Sequence, residues 1–180
     1  TCAVFIAASV DGFIARPDGD VDWLHRPEYS APDTGDLGYE KFISSIDFLV
    51  MGSHTFEKVR SFSPWPYEGT PVIVLSSRNL EIPNSLQGKV RVENLTPEEL
   101  VSQLEAEGAK QLYVDGGVTL QRFLKAGLIS ELCITQIPVL LGGGIPLFGS
   151  IGIELTLKHE RTRSYSNGFV QTTYQVLAAE

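Results

Sequence analysis

Leu112-Tyr-Val-Asp-Gly-Gly-Val-Thr119 passes from an apolar strand, through two glycines, into the start of a helix. Two other stretches behave in nearly the same way, Phe48-Leu-Val-Met-Gly-Ser-His-Thr55 and Val72-Ile-Val-Leu-Ser-Ser-Arg78. A strand that ends in small residues and a helix start is how an α/β sheet offers backbone N–H groups to phosphate. Three such junctions on one sheet edge point to a dinucleotide. The one ending in Ser76, Ser77 and Arg78 points to an extra phosphate, because hydroxyls with a guanidinium suit a 2′-phosphate on an adenosine ribose.

Outward from these junctions, the chain alternates strand and helix and then stops alternating. Residues 2–8 are a continuous apolar run, as in a central strand buried on both faces. Residues 48–51, 72–75, 90–93 and 111–114 read as further strands. Tyr39, Phe42, Ile43 and Ile46 recur at helical spacing and predict a helix over about 37–46. Thr96-Pro-Glu-Glu99 is a helix start, with Thr at the N-cap, Pro next and an acid three residues on. After Gly127 the pattern becomes three long strands, at 131–141, 153–165 and 169–177, linked by Gly142-Gly-Gly144 and by an Asn167-Gly168 hairpin turn. The expectation is one domain over 1–180, with a mixed, mainly parallel sheet between helical layers and antiparallel strands at its C-terminal side.

Composition narrows the function classes. A net charge of −8, from 22 acidic and 14 basic residues, argues against a nucleic-acid or acidic-membrane surface. No apolar run approaches the ~20 residues needed to span a bilayer. The opening Thr-Cys-Ala-Val-Phe-Ile lacks the basic start of a secretory signal, so a cytoplasmic protein is expected. Cys2 and Cys133 form no CxxC and read as buried reduced thiols. His25, His54 and His159 lack metal-ligand spacing, and no metal is expected.

Several residues are candidates for chemistry. Gly52 allows close backbone approach, with Ser53, His54 and Thr55 on the first helical turn beyond it. Gly116, Gly117 and Thr119 repeat that arrangement. Neither turn matches GxGxxG. The loop from Asp11 to about Gly35 is long enough to be functional, and within it Trp23 and Leu24 are apolar. Asp36 either caps the following helix or faces the pocket as an acid. Gly142–Gly144 either turns the chain or supplies N–H donors for a substrate phosphate.

Together these motifs resemble the dihydrofolate reductase fold. They are most similar to its relatives that include the reductase domain of riboflavin biosynthesis. The resemblance runs through Ala7-Ala-Ser-Val-Asp-Gly-Phe-Ile-Ala15, Trp23-Leu24, Asp36-Leu-Gly-Tyr-Glu-Lys41, Val50-Met-Gly-Ser-His-Thr55, Leu75-Ser-Ser77, Val114-Asp-Gly-Gly117 and Gly142-Gly-Gly-Ile-Pro-Leu-Phe148. It implies a three-layer αβα fold and NADPH as cofactor. By resemblance Ala7 and Ile14 border the nicotinamide. Ser53, His54 and Thr55 hold phosphates beside Gly52, and Ser76, Ser77 and Arg78 hold the adenosine 2′-phosphate, with Leu75 also at the cofactor. Val114, Gly116, Gly117, Val118 and Thr119 lie along the pyrophosphate. Asp36 and then Glu40 are the acid candidates, and Trp23 excludes water beneath a lid formed by residues 11–35.

Departures from the folate enzymes bear on the substrate. The Arg that binds the folate carboxylate is Thr70 here, the aromatic that packs on the ring is Glu40, and the Arg of the Gly-x-His-Thr turn is Ser53. A hydroxyl cannot replace a bidentate guanidinium. The leading expectation is therefore a stand-alone NADPH-dependent reductase of a small heterocycle, resembling 5-amino-6-(5-phosphoribosylamino)uracil reductase. A dihydrofolate or pterin reductase, a non-catalytic NADPH-binding protein and a nucleotide or sugar-phosphate transferase are the alternatives. The long C-terminal strands could also build a homodimer edge.

Overall fold

Six parallel strands place their C-terminal ends along one edge, and the candidate site lies there. The computed structural model of the chain describes residues 1–177. Its strands are β1 (Cys2–Ser9), β2 (Phe13–Ala15), β3 (Phe48–Gly52), β4 (Val72–Leu75), β5 (Val90–Glu93), β6 (Leu112–Val114), β7 (Ile129–Ile137), β8 (Ile145–Pro146), β9 (Leu157–Ser164) and β10 (Val170–Val176). The main sheet runs β5-β4-β3-β6-β1-β7-β10-β9, with β2 and β8 as a separate antiparallel pair. Every pairing from β5 to β7 is parallel. β10 is antiparallel to β7 and β9 to β10. This is the mainly parallel, three-layer, dihydrofolate reductase-like architecture expected.

Four helices cover the faces: α1 (Tyr39–Ser44), α2 (Ser53–Val59), α3 (Pro97–Ala106) and α4 (Val118–Lys125). Leu100 and Leu104 of α3 and Leu120, Phe123 and Leu124 of α4 are buried against Val4, Val50, Ile73 and Leu132 on one face. Phe56 and Val59 of α2 and the inner side of α1 pack on Leu49, Met51, Val72 and Val74 on the other. Thr96 begins α3 in a full capping box: its side chain accepts from the Glu99 amide, and Glu99 accepts in return from the Thr96 amide.

The boundaries that differ have local causes. The strand expected over 131–141 spans Ile129–Ile137, because Pro138 has no N–H for the ladder. The strand expected from 153 begins at Leu157. The helix expected over 37–46 is Tyr39–Ser44, since Leu37 and Gly38 are left-handed, at φ 59° and 85°. The pairing of β2 with β8 was not foreseen, because two and three residues are too few to show a period. Asn167-Gly168 does form the hairpin turn, with Gly168 at φ 92°. Cys2 and Cys133 are buried free thiols, and burial pushes the Cys2 thiol up to about 11. Among the described residues no helix is long and apolar enough to cross a membrane.

Candidate active site

The ends of β3, β4 and β6 are beside one another in the sheet, so their turns must converge. Gly52, Ser53, His54, Leu75, Ser76, Ser77, Arg78, Val118 and Thr119 line one cleft of about 470 Å³. Asn94, Leu95 and Arg122 complete its lining and were not anticipated. Arg122 was legible as the residue one helical turn beyond Val118, which puts both on one face of α4. Ser76 folds its own turn: its hydroxyl accepts the Arg78 amide at 3.0 Å. A second hollow of about 410 Å³ continues from Ser76–Arg78 towards Leu80, Ile82 and Val92.

Electrostatics single this cleft out. The whole chain has 22 acidic against 14 basic residues, yet the lining carries His54, Arg78 and Arg122 and no carboxylate. Gly52 is required by packing, since a Cβ there would come within 2.8 Å of Thr119 Oγ1. Gly117 is required by its backbone, at φ 73° and ψ −142°.

The remaining cofactor candidates lie beyond the cleft on the β1 side. A Cβ on Gly116 would strike Ile6 Cδ1 and come within 3.0 Å of Ile14 Cδ1. Ile14 therefore sits directly against the glycine pair, and Ala7 is half-buried nearby against the Trp23 cluster. Val114 is fully buried in the core, so only its backbone could reach a ligand. Thr55 does not line the cleft.

The acid candidates separate clearly. Asp36 is exposed, and its carboxylate accepts the amides of Gly38 at 2.9 Å and Glu40 at 2.8 Å. Those bonds hold it below the usual carboxylate range, the bond from Glu40 first. It serves the start of α1, and Glu40 on the same turn is exposed. Asp115 is the better-placed acid. It follows β6 directly, and burial lifts its carboxyl above the usual range, opposed by one backbone amide, Gly116. Burial first and the Asp115 charge second push up the phenols of Tyr39 and Tyr67, and the same causes lead for Tyr113. Asp115 is thus within electrostatic range of three tyrosines and directly precedes Gly116 and Gly117. Its sequence signal was an acid immediately after a buried apolar strand, at the edge where ligands bind.

The 11–35 loop is built into the fold. Trp23 is fully buried with Ile137 and Phe169, and its indole N–H has no partner among the described residues. Asp33 accepts the amide and hydroxyl of Ser166, and Asn167 donates to the Tyr29 carbonyl. At the other end the Asp11 carboxylate accepts the amides of Leu141 and Gly142, at 3.1 and 2.8 Å. Asp11 therefore occupies one of the three amides of the Gly142–Gly144 turn, that of Gly142, and the Leu141 amide just before it.

The comparisons agree with this architecture. The family model of the RibD C-terminal domain matches residues 1–171. A crystal structure of a protein from Shewanella sp. PV-4, provisionally assigned to riboflavin biosynthesis, is 41% identical over 98% of both chains, with a TM-score of 0.90. The uncharacterized protein YwjB of Bacillus subtilis is 34% identical over 95% of both chains. A Thermotoga maritima diaminohydroxyphosphoribosylaminopyrimidine deaminase/5-amino-6-(5-phosphoribosylamino)uracil reductase is 13% identical, with a TM-score of 0.74, and shares the fold. This chain matches 56% of that longer one. With this fold, these sheet-edge junctions and a family match over nearly its whole length, the chain belongs to the RibD C-terminal domain family.

Proposed function

We propose that this protein is an NADPH-dependent reductase of a small, nitrogen-containing heterocycle. The observation that carries the reading is the cleft lined by two arginines, a histidine and several hydroxyls without any carboxylate, in a strongly acidic chain. Such a lining suits a polyphosphate ligand. Its donor set and volume fit the nucleotide half of a dinucleotide, with Ser53, His54 and Thr119 toward the pyrophosphate and Ser76, Ser77 and Arg78 toward the adenosine. When bound, the cofactor supplies a hydride.

The chain's own contribution is to place and enclose the acceptor. Ile6 and Ile14 keep the reacting end apolar beside Gly116. Trp23 anchors the loop that closes it. Asp115, whose carboxyl burial raises above the usual range, holds an N–H edge of the heterocycle or delivers the proton that accompanies the hydride to a C=N or C=O bond. Thr70 is buried and no arginine replaces it, which disfavours a substrate with a folate carboxylate tail. The uracil-type substrate in the name of the Thermotoga relative carries no such tail.

The test is a titration with NADPH and NADH, then NADPH oxidation over aminopyrimidine, pterin and dihydrofolate substrates. Preference for NADPH and turnover with an aminopyrimidine are expected. Binding without any oxidation would instead favour a non-catalytic NADPH-binding protein, and mononucleotide binding without NADPH preference a transferase.

A further inference from the structure

Arg78, the cation expected to read the adenosine phosphate, already has a partner. Its Nη2 donates to Glu57 Oε1 at 2.9 Å. Glu57 stands on α2, outside the lining of the cleft. A phosphate that engages Arg78 must share it with this carboxylate.

The other guanidinium of the cleft is Arg122. It follows Val118 by one helical turn, so both project from the same face of α4. Val118 is 69% exposed, and Arg122 is exposed as well. Among the described residues Arg122 enters no ion pair. Its approach to a phosphate costs no existing partner.

We infer that Arg122, more than Arg78, sets the preference for a dinucleotide with an extra phosphate on its adenosine ribose, while Glu57 holds Arg78 partly neutralised. The inference rests on the cofactor reading above. A phosphate monoester carries about −1.5 to −2 charges at neutral pH. NADH carries a hydroxyl at that position and offers Arg122 no anion. Removing Arg122 therefore takes away an interaction specific to the phosphate, whereas removing Arg78 also leaves Glu57 without its cation.

Calorimetric binding of NADPH, NADH and adenosine 2′,5′-bisphosphate to the full chain and to Arg122→Ala, Arg122→Lys, Arg78→Ala and Glu57→Gln tests it. Arg122→Ala is expected to weaken NADPH and the bisphosphate about 10–100-fold, the range of a charge-assisted hydrogen bond. NADH affinity should move by less than about 3-fold in the same variant, which also shows that it folds. Arg122→Lys should recover part of the loss, since it keeps the charge without the fork. Glu57→Gln should tighten NADPH by about 2–5-fold, as expected for an exposed competing charge. Equal weakening of NADPH and NADH by Arg122→Ala, or no weakening of either, would overturn the inference and leave the cofactor reading intact. So would Arg78→Ala alone abolishing the preference. A wild-type chain that binds none of the three ligands overturns both.

Discussion

The two halves of the sheet's C-terminal edge are built on opposite terms. Over β3, β4 and α4 the edge is an open cleft, basic, lined by short turns that each follow directly from their own strand. Over β1 and β7 it is covered: Trp23, Ile137 and Phe169 make a closed apolar cluster, and the loop that carries Trp23 is tied down at both ends. Recognising a polyanion requires exposed donors, which local sequence can supply. Transferring a hydride requires exclusion of water, which only contacts distant in sequence can supply. Asp115 stands at the seam, joined to the open half through Gly116 and Gly117 and itself half-buried.

The largest expected effect falls on that seam. Asp115→Asn should lower turnover by about 100-fold or more, in the range of a lost general acid or base, while NADPH affinity stays within about 3-fold. The same substitution should stabilise the protein at neutral pH. The folded-state pKa of Asp115 is raised above its ordinary value of 3.8, so the native state binds more protons than the unfolded state between the two values. Stability therefore falls as pH rises through that window. The variant should melt above the wild type at pH 7, and the gap should narrow as pH falls towards the ordinary value. A variant that turns over at the wild-type rate would remove Asp115 from the chemistry and join the seam to the binding half.

The same division explains what the sequence disclosed. Parallel strands, the capping box at Thr96 and the cleft residues at the ends of β3 and β4 and the start of α4 were legible because each rests on local spacing or turn chemistry, whereas Asn94 and Leu95 were not. The setting of Asp36 was not, because a cap and a pocket acid have the same sequence; the structure places its carboxylate on the amides of Gly38 and Glu40. Asp115 escaped notice between two conspicuous neighbours, an apolar strand and a glycine pair. The bond of Asp11 to Gly142 spans most of the chain, and no local pattern announces it.

Trp23 tests the closed half by itself. Trp23→Ala should cost about 3–5 kcal/mol in chemical denaturation, as for other buried tryptophans. The lower part of that range is expected, because among the described residues the buried indole N–H has no partner and its removal relieves a desolvated donor. Trp23→Phe should cost markedly less for the same reason. Turnover should fall in both while NADPH affinity changes little, since Trp23 lies outside the cleft lining. If affinity fell in step with turnover, the two halves would be one cooperative unit and the comparison would fail.

Asp11 sharpens the comparison with the smallest effect, because its carboxylate is exposed and acts locally. The Ser9 hydroxyl first, then the amides of Gly142 and Leu141, hold its pKa below the ordinary 3.8. A depressed folded pKa stabilises above the ordinary value, and that contribution is lost as pH falls through the depressed one. The backbone amide resonances of Leu141 and Gly142 should therefore shift together in acid in the wild type and show no such titration in Asp11→Asn. At neutral pH the variant keeps an acceptor for one amide at most in place of a carboxylate that serves two. Thermolysin should then cut within residues 11–24 several times faster than in the wild type, with Trp23 still anchoring the middle of the loop. Unchanged cutting would mean that Trp23 and the Asp33–Ser166 contact alone hold the closed half, with the glycine turn acting only as a connection between strands.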